Sequence, residues 1–472
     1  MVNDEHLDLA RTQAAANTRE LMRWATEAIA KPLPKAVRRR AATILLDDIG
    51  AMVVGSLEPQ VARARDGLAR TASGTAEATV FARGAPRFDR YSAASANGMA
   101  ITWCELDEGF RNAPCHGGAY TIPALLAEAE AQGRSVEEVL SALALAYEVT
   151  TRFALAFPFP VFNVHPHAAF ATIGAAAATS LVRRYDAKTM LDAVTGAASM
   201  GFAGPFDTAV EGSLVRNGWT SAGAWIGMRA ADWAEAGIGG APTTPYDVFV
   251  GCFKTRAIPN ALVEGLGASW SVVNGYHKIF ACCGYAHSAV EAMLDLLGRL
   301  QQRKVDEIAE ILVETGPGGQ ALRTVEPATV LAAKFSIPHV MAATARLGTA
   351  GARAFTFETL QDEGIAKLRR RVRLAPYHDL PPFPKDRPAR VTLRFQDGGK
   401  MSAVCESARG GTDQPFDESM LLSKLAENTA SIFPALPDTF AAVVRGEAAV
   451  LARPWRELLA DALREHAPCE IS

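Results

Sequence analysis

The chain has 472 residues, of which 49% are apolar and 21% charged, enough for a large buried core and about two or three domains. A formal charge of -3 excludes a general electrostatic case for nucleic acid or an anionic membrane surface, so any basic site must be local. Seven cysteines without framework spacing, and a polar start (MVNDEHLDLARTQ) unlike a secretory leader, predict reduced thiols and a cytoplasmic location.

In chain order, apolar positions from Leu7 to Ala25 recur at helical spacing until Pro32 and Pro34 stop the helix. Residues 35–56 read as a long buried helix entered by a basic turn, 61–81 as mixed, and 84–88 as a loop. From 89 to about 236 alanine-rich helical segments dominate: 91–104, 119–132, 135–156, 167–185, 186–203 and 218–236. Ser135 with Glu137 and Glu138, and Asp186, mark helix starts. Segments such as AAFATIGAAAATSLV are shorter than a membrane span and read as buried helices.

The texture changes after Trp270. A helix is expected over 284–303, a strand from Val305 to Glu314, and strand-like alternation over 367–374. The runs ARVTLRF and KMSAVCE, joined by Gln396-Asp397-Gly398-Gly399, form a hairpin. Residues 415–472 return to helix, opening at Phe416-Asp417 and closing on WRELLADALREH. The fold expected is mainly α: an all-helical domain from 1–271 and 411–472, with an α+β domain at 272–410 between them.

The stretch Ile101 to Pro123 concentrates chemistry: Glu105, Asp107, Glu108, Arg111, Cys115 and His116 on a Gly/Pro-broken turn between apolar helices. Alone, it reads slightly better as acids capping a helix start with a histidine packed at its edge. Further histidines lie at element boundaries. His165-Pro166-His167 opens a helix whose exposed amides suit an anion. His277-Lys278 lies where the texture changes, and a lysine flanked there by apolar residues is expected to have a lowered pKa or a paired carboxylate. His339 follows Lys334-Phe335-Ser336. No CxxC pair, P-loop or GxGxxG at a strand–helix junction is present, so the chemistry is expected to need no metal, flavin or nucleotide.

The chain resembles the MmgE/PrpD family, which includes 2-methylcitrate dehydratase, cis-aconitate decarboxylase and iminodisuccinate epimerase. The likeness is carried by the order of TILLDDIGAMVVGS, ANGMAITWCELDEGF…CHGG, NVHPHAAFATIGAAAA, VRNGWTSAGAWIGMRAADWAEAGI, KIFACCGYAH and AAKFSIPHVMAA. It implies a helical domain, an α+β lid inserted between its two parts, a homodimer, and a site between domain and lid. By motif, the family's acidic positions fall on Glu105 and Asp107, its histidines on His116 and His165, and its basic residue before the GW segment on Arg216. Its lid-entry lysine falls on Lys278, and a position that is usually tyrosine is His339. A family threonine after the acidic pair is missing here, and Arg216 stands where lysine is common.

Catalytic roles are therefore expected for His165, Lys278, His116 and Asp107, and substrate binding for Glu105, Arg216, His339, His167 and His277. The activity implied is a cofactor-independent lyase acting on a small di- or tricarboxylate by α-proton chemistry, with loss of water or CO2. Epimerisation of an iminodisuccinate-like substrate is the alternative, and His339 would supply its extra proton donor. A non-catalytic carboxylate-binding protein is the reading from another class.

Overall fold

The computed structural model describes residues 2–72, 74–161 and 163–464, with side chains from residue 8 onward. Helix Lys35–Gly55 begins with partly exposed arginines and is then buried at every position from 41 to 53, Asp47 and Asp48 included. A helix buried on all faces belongs in the middle of a bundle, and the segments around it explain why. Helices Gly117–Ala131 and Pro166–Arg183 are likewise buried along nearly their whole length. Small residues set how closely they pack. A Cβ on Gly223 or Gly227 of helix Val215–Glu235 would come within 2.5 Å of Ala171 or Ala175 on helix Pro166–Arg183. The alanine content thus becomes close approach of helix axes, as expected.

Ser135 forms a reciprocal capping box with Glu138, and Asp186 and Asp417 accept backbone N–H groups at their helix starts. Helix Glu418–Thr429 packs on helix Lys35–Gly55, so the late helical region joins the early one.

Between them lies a four-stranded sheet in the order Val372–Pro376, Ile308–Thr315, Ala389–Phe395, Lys400–Cys405. The first pair is parallel and the rest antiparallel; the hairpin pairs Ala389 with Cys405 and Arg394 with Lys400. Helices His287–Gly298 and Ile337–Leu347 pack against this sheet. A two-residue pairing, Gly109–Phe110 with Gly275–Tyr276, ties the acid-rich stretch to the entry of the α+β region.

Several expectations need correction. Residues 363–369 are helix, and the strand starts only at Val372, because Asp362 caps a turn that the alternating KLRRR run disguises. The mixed segment from 61 contains helix Pro59–Ala69, opened by a proline in its first turn. Helix 186–203 stops at Ala198, helix 284–303 narrows to His287–Gly298, and Ile337–Leu347 is a helix that periodicity did not reveal. The closing helix is Trp455–Ala462; the part of that segment from 465 on lies outside the described residues.

Candidate active site

After helix Arg90–Ile101 the chain turns sharply, and Glu105 sits at φ +56°. A left-handed glutamate is uncommon and persists where its surroundings fix it. Here Arg216 fixes it: Nη2 lies 2.5 Å from Glu105 Oε1, with both side chains almost fully buried. Arg216 also donates to Thr102 O (3.2 Å) and Asn217 Oδ1 (2.8 Å), which orients the guanidinium from helix Val215–Glu235.

Two residues on, Asp107 is buried between His116 and Lys278. Its Oδ2 lies 2.6 Å from His116 Nδ1, and its Oδ1 accepts from Lys278 Nζ at 3.3 Å. Burial alone would raise its pKa, but Lys278 and His116 hold it well below the usual carboxylate range. Burial pulls Lys278 down while Asp107 and Glu105 pull it up, and the carboxylates win, so the lysine is a charged ammonium. Of the two states expected for Lys278, the structure has the paired one.

His116 precedes helix Gly117–Ala131. Its Nδ1 faces two acceptors, Asp107 Oδ2 at 2.6 Å and Glu108 O at 3.0 Å, so Nδ1 carries the ring proton and Nε2 is left bare. His165 is held the opposite way. Its Nδ1 accepts the His167 amide N–H at 3.1 Å as the cap of helix Pro166–Arg183, and its Nε2 faces the Arg216 Nε–H at 3.4 Å, so both ring nitrogens meet donors. Burial and the neighbouring Arg216 keep His165 neutral, with a pKa well below that of a free imidazole. His116 thus offers a free acceptor nitrogen, whereas His165 is tied to the Arg216 guanidinium.

These groups meet at a pocket holding about 690 Å³ of atom-free space, with its mouth and open solvent included. Glu105, His116, His165, Arg216 and Lys278 line it, while Asp107 stands behind His116 and Lys278. His167 lies one layer deeper. Its Nδ1 contacts Tyr120 Oη at 2.7 Å, its ring is perpendicular to His116 at 4.8 Å, and its buried Nε2 has no protein partner.

Besides His167, two more expected binding residues do not line this pocket. His277 is fully buried against Asp47 at 2.7 Å, and Asp47 also holds Lys424 at 2.5 Å. His339 lies 3.1 Å from Arg369 and 3.4 Å from Ala354 O, inside the α+β region.

Residues given no site role by the sequence also line the pocket: Arg111, Tyr276, Tyr285, Phe335 and Arg387. Tyr276 is aimed by its hydroxyl, 2.6 Å from His287 Nδ1. Arg111 and the tyrosines had a signal, since they lie within the chemistry-rich stretches; Arg387, in a proline-rich loop, had none. Behind the pocket, Glu108 accepts from Tyr147 (2.5 Å) and the Gly118 amide (3.1 Å), and burial pushes its carboxyl up to about 7. Among the described residues no His/Cys/Asp/Glu group is arranged to hold a metal.

Two family models match the chain. The MmgE/PrpD N-terminal domain matches residues 19–259 and the MmgE/PrpD C-terminal domain residues 280–445. A cis-aconitate decarboxylase-like protein, oryM, of Aspergillus oryzae is 28% identical over 62% of this chain, which spans 63% of that relative's length. Two cis-aconitate decarboxylases of Aspergillus terreus are 24% and 23% identical, over 69% and 88% of this chain and 71% and 89% of their own lengths. The family and the names of these relatives point to lyase-type, dehydratase- or decarboxylase-like chemistry. With one family model covering more than half of its length and a second covering most of the rest, the chain belongs to the MmgE/PrpD family.

Proposed function

We propose that the protein is a cofactor-independent lyase that removes water or CO2 from a small di- or tricarboxylate, with His116 as the base. The observation that carries this reading is the unit Lys278–Asp107–His116, in which one buried carboxylate orients the imidazole and anchors the ammonium beside it. His116 Nε2 takes the proton on the carbon next to a carboxylate. The electron pair delocalises into that carboxylate, and Lys278 with Arg216 stabilises the enolate-like charge, each interaction worth roughly 3–4 kcal/mol to the barrier. For dehydration, the pair then forms a C=C bond as hydroxide leaves and takes back the proton held on His116 Nε2, departing as water. Decarboxylation needs no prior loss of an α-proton: the C–CO2 bond breaks, CO2 leaves, and the pair left on the carbon takes a proton from His116, which in this case acts in its protonated form as the acid.

The epimerase alternative needs a second proton donor on the opposite face. His339 does not line the pocket, so this reading must rely on His165. Proton NMR in deuterated water with 2-methylcitrate, citrate, cis-aconitate and iminodisuccinate separates the two. An alkene or itaconate-like product supports the lyase; deuterium wash-in with scrambling and no elimination supports the epimerase. No exchange with any of them removes both.

A further inference from the structure

The two ends of the pocket differ in charge. At the inner end the cations Arg216 and Lys278 are matched by the carboxylates of Glu105 and Asp107. At the outer end two arginines share one carboxylate. Arg111 Nη2 donates to Asp386 Oδ1 at 2.8 Å, and Arg387 Nε lies 3.5 Å from Asp386 Oδ2. Arg111 is only 8% exposed, yet its Nε, like that of Arg387, has no hydrogen-bond partner. Both side chains are braced by rings: Arg111 lies 5.5 Å from the Tyr276 ring centroid and Arg387 4.4 Å from that of Tyr285. Asp386 is 35% exposed, so water can take over part of its solvation when the arginines turn to another anion.

An anionic substrate gains little net attraction from the balanced inner end. We propose that Arg111 and Arg387 form a second carboxylate-binding subsite, which takes the substrate carboxylate farthest from the reacting carbon and selects substrates that carry one there. The subsite rests on the polycarboxylate reading above and deepens it. Arg111 comes from the acid-rich stretch and Arg387 from the α+β region, so the bound carboxylate links the two parts of the chain across the pocket mouth. Asp386 is the internal counter-ion that holds the forks in place when the site is empty. Planar guanidinium forks suit a carboxylate in a way that a lysine does not.

Calorimetric titration with tricarballylate, a tricarboxylate with neither hydroxyl nor double bond, tests this without turnover. Arg387→Gln is expected to weaken binding about tenfold or more, the effect of losing a charged hydrogen bond. Arg111→Lys, which keeps the charge but loses the fork, is expected to weaken it less. Asp386→Asn is expected to tighten binding by about threefold or more, because it frees both arginines. A purely structural role for the trio would make Asp386→Asn weaken binding as well. Unchanged affinity in Arg387→Gln, or weaker binding in Asp386→Asn, overturns the subsite while leaving the polycarboxylate reading in place. No binding by the wild-type protein removes that reading and the subsite with it.

Discussion

The molecule contains two Asp–His pairs of nearly equal geometry and opposite character. His116 lies 2.6 Å from Asp107, with a fifth of its side chain exposed at the pocket; His277 lies 2.7 Å from Asp47 and is fully buried. In the first pair the far ring nitrogen faces the pocket and the carboxylate is shared with Lys278. In the second the far nitrogen has no partner and the carboxylate is shared with Lys424, which also donates to Leu106 O at 2.7 Å. Burial holds the His277 pKa down to about 4 despite its carboxylate. Access to a ligand, rather than the pairing itself, separates a candidate base from a structural knot. The knot ties helix Lys35–Gly55, the acid-rich stretch and helix Glu418–Thr429 to the residue beside Lys278.

The comparison breaks most sharply at the shared carboxylates. Asp107→Asn removes the group that orients His116 and neutralises Lys278, and is expected to lower kcat by about 10²–10⁴ while the circular dichroism spectrum stays native. Lys278→Ala is expected to cost about 10²–10³ in kcat through lost charge stabilisation. Unchanged turnover in either variant would remove that residue from the site. On the other side, Lys424→Met leaves Asp47 with only a neutral histidine and is expected to cost about 3–5 kcal/mol in denaturant unfolding. Its KM should not change in the protein that folds; a shifted KM would show that the knot reaches the pocket.

The smallest effect is in pH. Burial lowers the pKa of His165, His167, His277, His287 and His339, so in each the unfolded chain binds more protons below the ordinary imidazole value. Their contribution is complete above about pH 6.5 and is lost as the pH falls toward their folded values. Glu108, Asp48, Glu130 and Glu148 are raised and act in the opposite sense, stabilising at low pH and losing that contribution as the pH rises. Five histidines, whose unfolded values lie inside this window, against four acids predicts that the melting temperature falls from pH 7 to pH 5, measured by calorimetry. Asp48→Asn should steepen that fall by removing one of the opposing acids.

Much of the frame was legible because it depends on local chemistry. Ser135 and Asp186 announced their helices, the QDGG turn fixed the hairpin register, and the alanine-rich run from 89 to 236 marked close helix packing. The site was legible as residue types: Glu105, Asp107, His116, His165, Arg216 and Lys278 were all singled out. Their pairing was not legible. The Glu105–Arg216 and Asp107–Lys278 contacts join residues 111 and 171 positions apart, which only the tertiary fold decides. His277 and His339 show the converse. Each lies beside a pocket residue in sequence (Lys278) or close to one (Phe335), yet local geometry turns its side chain away. Helix Ile337–Leu347 escaped notice although Ser336 caps it and Pro338 fits its first turn, because the run from Lys334 to Ala345 is apolar on too many faces to show a period.

The most direct measurement is the rate of substrate α-proton exchange in deuterated water for the wild-type protein and for His116→Asn and His277→Asn, each checked for native fold. The account predicts exchange in wild type, its loss by about 10²–10⁴ in His116→Asn, and near wild-type exchange in whatever fraction of His277→Asn folds. Exchange at the wild-type rate in a folded His116→Asn protein would contradict it.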